Sequence, residues 1–383
     1  MYFRIFSYFI WTGDSQLFSF AAFSLKWNAI LLILGFLVCR QLLFYIYQKE
    51  KGSLNEVAWL SVYVVVVTLI ASRLGHELIY EPERVAANFP SIFLPFEFDP
   101  DFHLLGRGKF SIHGAAIGIL FFLWLYGRRN KEQDYLQRLD RVSIAAALSG
   151  VFILIGSFLS SDLTGKPTAS STGVIFIKPV LNGLLKVPCC IMRSPDGKNP
   201  LENIDVKKDP ASLKTEKHQK SIVLYLFFKP GPSEQLVNEF LIGDVKTYLY
   251  DMAQFVHEPG TEPLHYRIFI ERNNQYTARI TTKGIARYPV QLFEAISCAA
   301  LFLFLFSYWR RHKIDTKSGR LFGYFMILFW SLQLAFGFMK EKQASVEIGL
   351  NILLVLAGIT ILVVSGRKHS TKGDARQYPT RRP

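Results

Sequence analysis

Residues 290–309 read VQLFEAISCAALFLFLFSYW and are followed directly by Arg310, Arg311 and Lys313. A helix needs roughly 20 apolar residues to cross a bilayer core about 30 Å thick, and this stretch has that length. This stretch and six others like it predict an all-α polytopic membrane protein with seven transmembrane helices. The other six apolar stretches are 28–47, 56–72, 112–127, 143–161, 321–339 and 347–365.

The distribution of lysine and arginine between the spans predicts their orientation. The connections after the first, third and fifth spans and the tail after the seventh are basic, whereas the loop after the sixth holds only Lys340 and Lys342. Cytoplasmic loops carry the excess of positive residues, so we expect the N-terminus outside and the C-terminus in the cytoplasm. Among the basic residues at these exits are Arg40, Lys49 and Lys51, then Arg128, Arg129, Arg138 and Arg141, and then Lys317 and Arg320.

The composition of the chain argues against nucleic acid as a partner and against a bound metal or other cofactor. The formal net charge is +14, which in a soluble chain would suggest nucleic acid. Here the positive charges flank the apolar spans, where they meet anionic lipid headgroups, and we expect no nucleic-acid partner. Cysteine and histidine show no zinc-type spacing, and no glycine-rich phosphate loop occurs, so no metal or other cofactor is expected. The adjacent Cys189 and Cys190 are unsuited to a mutual disulfide because the geometry is strained.

Residues 166–288 interrupt the membrane pattern with charged residues, prolines and glycines. We therefore expect an α+β extracytoplasmic head domain between spans four and five, with a mobile loop over Asp196–Lys220. The predicted division is an outer interfacial segment 1–27, helices one to four in 28–165, the head in 166–288, helices five to seven in 289–365 and a basic cytoplasmic tail in 366–383. Strands are predicted at Gly173–Val180, Ser221–Phe228, Leu264–Arg272 and Tyr276–Thr282, with helix over Ser233–Val256 and Ser233 as its N-cap.

Polar residues at the ends of the spans are the candidates for function. Arg73 and His113 lie at a membrane boundary, where such residues are costly unless they are partnered or hydrated. His113 is a candidate base or hydrogen-bond donor, although a histidine bonded to a backbone carbonyl would look the same in sequence. Gly114 begins a small-residue patch that also suits close helix packing.

Two further groups of polar residues lie near the fourth and fifth spans. Ser157 and Asp162 lie at the outer end of span four, where polar caps are common. Gln291 and Glu294 lie in the first turns of span five, where a glutamate is also favoured by the helix dipole.

Taken in chain order, these segments resemble the bacterial prolipoprotein diacylglyceryl transferase family. Tyr80-Glu81-Pro82-Glu83 is similar to the family's Y-(D/N)-P-E, and Ser111-Ile112-His113-Gly114-Ala115 to its S-F-H-G-G. The stretch from Ile155-Gly156-Ser157-Phe158 to Gly165-Lys166-Pro167-Thr168 resembles I-G-N-F…E-x-x-G-x-P-T. The run Tyr288–Glu294 is similar to H-P-x-Q-L-Y-E.

The resemblance implies a definite reaction and place. Family members transfer the diacylglyceryl group of phosphatidylglycerol to the lipobox cysteine of a prolipoprotein, with glycerol phosphate leaving, at the outer leaflet of the cytoplasmic (inner) membrane. Such a reaction needs a base for the thiol and fixed positive charge on the departing phosphate. The resemblance implies that His113 is the general base. It implies that the lipid-binding residues are Arg73, Gly114, Ser157, Asp162, Gln291 and Glu294.

The chain departs from the family where two arginines are expected. Leu154 occupies the arginine position of the fourth span, and Gln333 that of the sixth. We therefore expect a pseudoenzyme that binds a phosphatidylglycerol-like phospholipid, a lipoprotein or prolipoprotein, or another membrane or envelope protein, the last through 166–288. The alternative is an active transferase whose cations are Arg73, Arg107 or Lys109. A transporter is disfavoured because no internal repeat is present.

Overall fold

The structure is a computed structural model, and it divides the chain into two compact units. One unit contains 1–28, 156–292 and 339–342, and the other contains 29–155, 293–338 and 343–383. The described residues are 8–13, 16–20, 23–80, 83, 96–98, 102–104, 111–129, 134–161, 165–186, 199–209, 218–271, 275–313, 316–341 and 345–367.

Within the described residues, seven long helices account for the seven apolar stretches. Six of them are long and apolar enough to cross a membrane, which makes the chain a multi-pass membrane protein. The remaining one, α3, has 18 residues and ends in Arg128-Arg129, so its apolar part is shorter. The seventh crossing and the orientation stay predictions. The helices are α1 (Trp27–Lys49), α2 (Leu54–Tyr80), α3 (Ile112–Arg129), α4 (Tyr135–Leu159), α8 (Val290–His312), α9 (Arg320–Gly337) and α10 (Ser345–Arg367).

Several arginines counted above as membrane-flanking lie elsewhere. Arg138 and Arg141 are fully buried in α4, where Arg138 pairs with Glu56 at 3.0 Å and Arg141 with Glu50 at 2.7 Å. Arg40 lies inside α1, nine residues before its last residue. The prediction that these three residues meet lipid headgroups from a loop is therefore wrong. The ion pairs explain the first two, because a buried charge is retained only with a close counter-charge.

The other unit is built around an antiparallel sheet in the order β10-β11-β8-β7, with β9 also paired to β11. Apolar residues at alternate positions of β8, such as Ile222, Leu224 and Leu226, are buried in its core, as expected for a sheet with one covered face. Strand β1 pairs in parallel with β6. The strands are β1 (Phe9–Trp11), β6 (Val174–Phe176), β7 (Leu201–Lys208), β8 (Gln219–Phe228), β9 (Val256–His257), β10 (Tyr266–Ile270) and β11 (Tyr276–Ile285).

Most elements predicted in 166–288 are confirmed. The β10–β11 pairing is antiparallel as expected, and the side chain of Ser233 accepts a hydrogen bond from the Leu236 amide as the N-cap. The helical stretch comprises α6 (Glu234–Phe240), a π-helical turn (Leu241–Val245) and α7 (Lys246–Asp251). Two short hairpins complete the described strands, β2 (Gln16–Phe20) with β3 (Phe23–Lys26) and β4 (Phe96–Phe98) with β5 (Phe102–Leu104).

Two details of that stretch were predicted wrongly. The strand expected to reach Val180 ends at Phe176, because Pro179 lies in the first turn of a short helix, α5 (Lys178–Leu184). The segment Asp196–Lys220, expected to be a loop, contains β7, whose charged outer residues conceal the buried Leu201 and Ile204. The turn at Asn273-Asn274 and the pair Cys189-Cys190 lie outside the described residues.

Candidate functional site

Helices α2 and α3 are in backbone contact through two glycines. A Cβ on Gly114 would lie 2.5 Å from the Ala71 carbonyl oxygen and 2.6 Å from the Gly75 Cα, far closer than ordinary packing allows. The Ser111 amide donates to the Ser72 carbonyl at 2.9 Å, which fixes the start of α3 against α2. The structure thus supports the packing interpretation of Gly114, because small residues let helix backbones approach in a membrane. This contact sets the position of His113.

His113 lies in a buried polar cluster assembled from four helices. Its Nε2 is 2.9 Å from Oδ1 of Asn351, and its Nδ1 is 3.4 Å from the hydroxyl of Tyr80. That hydroxyl donates to Oε1 of Glu347 at 2.9 Å. His113 is 3 % exposed, and its ring stacks on Trp330 with centroids 5.0 Å apart. We call Tyr80, His113, Trp330, Glu347 and Asn351 the His113 cluster.

The hydrogen bonds of His113 leave two consistent proton arrangements. If the Asn351 amide is oriented with its nitrogen towards Nε2, a neutral His113 donates from Nδ1 to Tyr80, which donates to Glu347. If the oxygen faces Nε2, a neutral His113 donates from Nε2 to Asn351, and its Nδ1 keeps a lone pair at 3.4 Å from the Tyr80 hydroxyl. Amide orientation and histidine tautomer follow from such networks. In either arrangement both ring nitrogens lie against a protein side chain, so a substrate thiol would have to displace Tyr80 or Asn351 to reach one of them.

Trp330 contributes a donor to the same cluster. Its side chain is 2 % exposed, and among the described residues its indole Nε1 has no hydrogen-bond partner. A buried N–H group without an acceptor costs about 1–3 kcal/mol. An oxygen of a bound ligand is one way to satisfy it.

Arg73 is the arginine that α2 contributes near the His113 cluster. It faces Glu77 at 3.8 Å, one turn further along the helix, with 19 % of its side chain exposed. Its Nε also has no hydrogen-bond partner within the described part of the chain. Arg107 and Lys109 lie outside the described residues. At the two arginine positions of the family, Leu154 in α4 and Gln333 in α9 are both half-buried.

The other predicted site residues are divided between the two units. Glu294 is buried in the same unit as His113, whereas Gln291 is buried in the unit that contains the sheet, which also contains Ser157. Asp162 lies outside the described residues.

Arg287, which sequence reasoning treated only as part of a motif, holds two family-like segments together. It is 4 % exposed and donates to the carbonyl of Gly165 at 3.0 Å and twice to that of Gln254. It also pairs with Glu341 at 2.6 Å. The planar guanidinium suits this set of acceptors because it offers five donors in a fixed fork. The stretch Gly165–Thr168 is thereby fixed beside the start of α8.

Four members of the His113 cluster were not singled out from sequence. Glu347 and Asn351 are four residues apart near the start of α10, and so share one face of that helix. Polar residues at this spacing in an apolar span were the available signal. Tyr80 was visible only as part of a motif, and Trp330 carried no signal beyond its aromatic character.

Comparison with known proteins gives a consistent result. The family model described as prolipoprotein diacylglyceryl transferase matches residues 15–364. A protein of Tolumonas auensis named phosphatidylglycerol–prolipoprotein diacylglyceryl transferase is 25 % identical over 94 % of this chain and 98 % of its own length. A Bdellovibrio bacteriovorus protein of the same name is 23 % identical over 91 % of this chain and 92 % of its own length. One from Chloroherpeton thalassium is 30 % identical over 45 % of this chain and 60 % of its own length.

Proposed function

The chain belongs to the prolipoprotein diacylglyceryl transferase family, and from this premise we propose that it binds phosphatidylglycerol-type phospholipid without transferring the diacylglyceryl group. The observation that carries the proposal is the occupancy of His113, whose two ring nitrogens both face protein side chains. A general base must reach the proton that it removes, and here Tyr80 and Asn351 cover both ring nitrogens.

The missing arginines support the same conclusion. One electrostatic donor to a transition state is worth about 10²–10³ in rate. Replacing two of them by Leu154 and Gln333 removes on the order of four to six decades, since neither side chain carries charge. Leucine in particular supplies no donor at all.

Lipid binding rests on a different part of the same cluster. The indole N–H of Trp330, which has no acceptor in the described part of the chain, offers a donor to an ester or phosphate oxygen. In the orientation that the basic loops predict, Tyr80, His113 and Glu347 lie at the outer ends of their helices, level with the outer leaflet. The proposed setting is therefore the outer leaflet of the bacterial cytoplasmic membrane, with 166–288 on the extracytoplasmic side and available to a lipoprotein or envelope protein.

The binding part is tested by titrating the purified full-length protein with phosphatidylglycerol and counting bound lipid by native mass spectrometry. Trp330→Phe keeps the ring that stacks on His113 and removes the N–H, and we expect the apparent Kd to rise about fivefold, equal to about 1 kcal/mol. The matched control is Trp124→Phe, because Trp124 is 41 % exposed on α3. Equal affinity of the Trp330 variant and the wild type would contradict the proposal.

A second candidate function is diacylglyceryl transfer by this chain itself, as the names of its relatives state for them. The specific observation in its favour is the long 3.4 Å contact between Tyr80 and Nδ1 of His113. A substrate thiol that displaces the Tyr80 hydroxyl would meet a ring whose other nitrogen is fixed by Asn351. Arg73 would then bind the phosphate, because its ion pair with Glu77 is long and its Nε has no hydrogen-bond partner among the described residues.

The second candidate makes its own prediction. With phosphatidylglycerol and a lipobox peptide as substrates, His113→Ala would abolish a wild-type mass gain and Arg73→Gln would lower kcat by about 10²-fold or more. Arg128→Gln, which changes an exposed arginine at the end of α3, is the control. A wild-type rate indistinguishable from background would exclude this candidate.

A further inference from the structure

An arginine inside α1 borders a cavity that the proposed function does not use. Arg40 is the fourteenth of the 23 residues of α1, so about 14 Å of helix separates it from Lys49. An arginine within a membrane span is costly unless it has a partner. Among the described residues no carboxylate pairs with Arg40, its Nε has no hydrogen-bond partner, and its guanidinium lies 5.2 Å from the Phe44 ring.

On one side of Arg40 lies an apolar cavity of about 180 Å³ between α1, α2, α3 and α4. Among the described residues, Arg40 is the only charged residue that lines it, and Leu31, Phe36, Leu69 and Ile153 are typical of the rest. A cavity of about 150 Å³ in a protein core holds a benzene molecule. This cavity therefore takes a segment of an acyl chain.

The hydroxyl groups in this cavity do not make it polar. Those of Ser61, Thr68 and Ser149 donate to carbonyls of their own helices, at 3.0, 2.6 and 3.1 Å. The thiol of Cys39 likewise donates to the Ala145 carbonyl at 3.3 Å. With these groups satisfied, the surface offered to a ligand is hydrocarbon.

On the other side of Arg40 lies a more polar cavity of about 340 Å³, lined by Gln41, Phe44, Gln48 and Leu54. Arg40, Phe44 and Gln48 follow one another at four-residue intervals and share one face of α1. The more polar cavity thus extends from the arginine towards the end of the helix at Lys49. Arg40 lines both the apolar and the more polar cavity.

We propose that Arg40 and these two cavities form a binding site for an anionic diacyl phospholipid, with an acyl chain in the apolar cavity and the phosphate at the Arg40 guanidinium. The phosphate diester supplies the negative charge that no described protein group supplies. A charge-assisted contact of this kind is among the stronger hydrogen bonds. In the orientation predicted from the basic loops, Arg40 lies just on the cytoplasmic side of the middle of α1, and the apolar cavity runs from there towards the outer end of that helix. None of the residues that line the two cavities belongs to the His113 cluster.

The site is tested with full-length protein in vesicles that contain phosphatidylglycerol with a diazirine on one acyl chain. After irradiation, cross-linked peptides are mapped by mass spectrometry. We expect labels within 31–43 and 142–153, reduced at least fivefold by Arg40→Gln and much less by Arg40→Lys, which keeps the charge. Ala146→Phe, which places a ring in the apolar cavity, is expected to lower the same labels. Arg128→Gln is the matched control and leaves them unchanged.

Three outcomes would overturn the proposal. They are labels in 31–43 that Arg40→Gln does not lower, equal labelling by a phosphatidylcholine carrying the same diazirine, and absence of labels from both segments. Trp330→Phe separates this site from the proposed function, because it is expected to weaken lipid binding at the His113 cluster and to leave labelling at 31–43 intact.

Discussion

The contact between α2 and α3 gives the prediction whose size follows most directly from the structure. In Gly114→Ala the new Cβ would lie 2.5 Å from a backbone carbonyl oxygen, and ordinary contacts begin near 3.4 Å, so the helices must separate by about 0.9 Å. Neither helix can relieve the clash by rotating a side chain, because the atoms that it meets are backbone. Overpacking of this kind costs about 1–3 kcal/mol.

The same substitution has a small opposing effect. Alanine is favoured over glycine inside a helix by about 0.5–1 kcal/mol. The expected net result is therefore a loss of up to about 2.5 kcal/mol in the free energy of unfolding. Gly349→Ala in α10 is the matched control, since a Cβ there meets nothing within 4 Å, and it should gain up to about 1 kcal/mol.

The measurement is the free energy of unfolding of purified protein in mixed micelles, from tryptophan fluorescence during titration with a denaturing detergent. The two variants should differ by about 1–3 kcal/mol, with Gly114→Ala the less stable. Equal free energies would refute the close approach of α2 to α3, and with it the placement of His113.

Three further predictions concern single groups. Arg287→Lys keeps the charge but loses the planar guanidinium that reaches two carbonyls and a carboxylate, and it should raise amide hydrogen exchange over 165–168. The control Arg267→Lys, at an exposed position, should leave that exchange unchanged. Unchanged exchange in Arg287→Lys would contradict the role of Arg287. Asp140→Ala removes the acceptor of two backbone amides at the start of α9 and should lower the free energy of unfolding by about 0.5–2 kcal/mol; no loss would contradict that capping. Burial, with a smaller effect of nearby Asp209, raises the pKa of Tyr8. The protonated hydroxyl therefore stabilises the folded state below about pH 10, the ordinary tyrosine value, and this stabilisation is lost as pH rises through the folded-state pKa. Denaturant titrations should show a steeper loss of stability above pH 10 in the wild type than in Tyr8→Phe, and parallel curves would contradict it.

The sequence predicted the elements whose residues carry a strong local pattern. The helix from Val290 follows from 20 consecutive residues of almost uniform apolar character, and the hairpin of β10 and β11 from two β-rich runs. Strand β7 was missed because its outer face is charged, and charge in an irregular stretch is equally typical of a loop. A buried ion pair such as Arg141–Glu50 was missed for a related reason. Its partners are 91 residues apart, and either alone looks like a membrane-flanking charge.

The candidate site was only partly accessible to the same reasoning. The family resemblance identified His113, and the cost of an ionisable residue at a membrane boundary supported it. Its partner Asn351, and Glu347, which accepts from the neighbouring Tyr80, come from a helix more than 230 residues away, and no local pattern relates them to His113. Whether His113 acts as a base depends on those partners, because they decide if a ring nitrogen is open to a substrate.

The central claim is tested most directly by a transferase assay on the purified wild-type protein. Phosphatidylglycerol and a lipobox peptide are the substrates, mass spectrometry reads the peptide, and the Tolumonas auensis relative is the positive control. A protein that binds lipid without transferring it should give no diacylglyceryl mass gain above background while the relative turns over. A mass gain at a rate within about a hundredfold of the relative would contradict the account. The loss of even one transition-state donor lowers the rate by about 10²–10³.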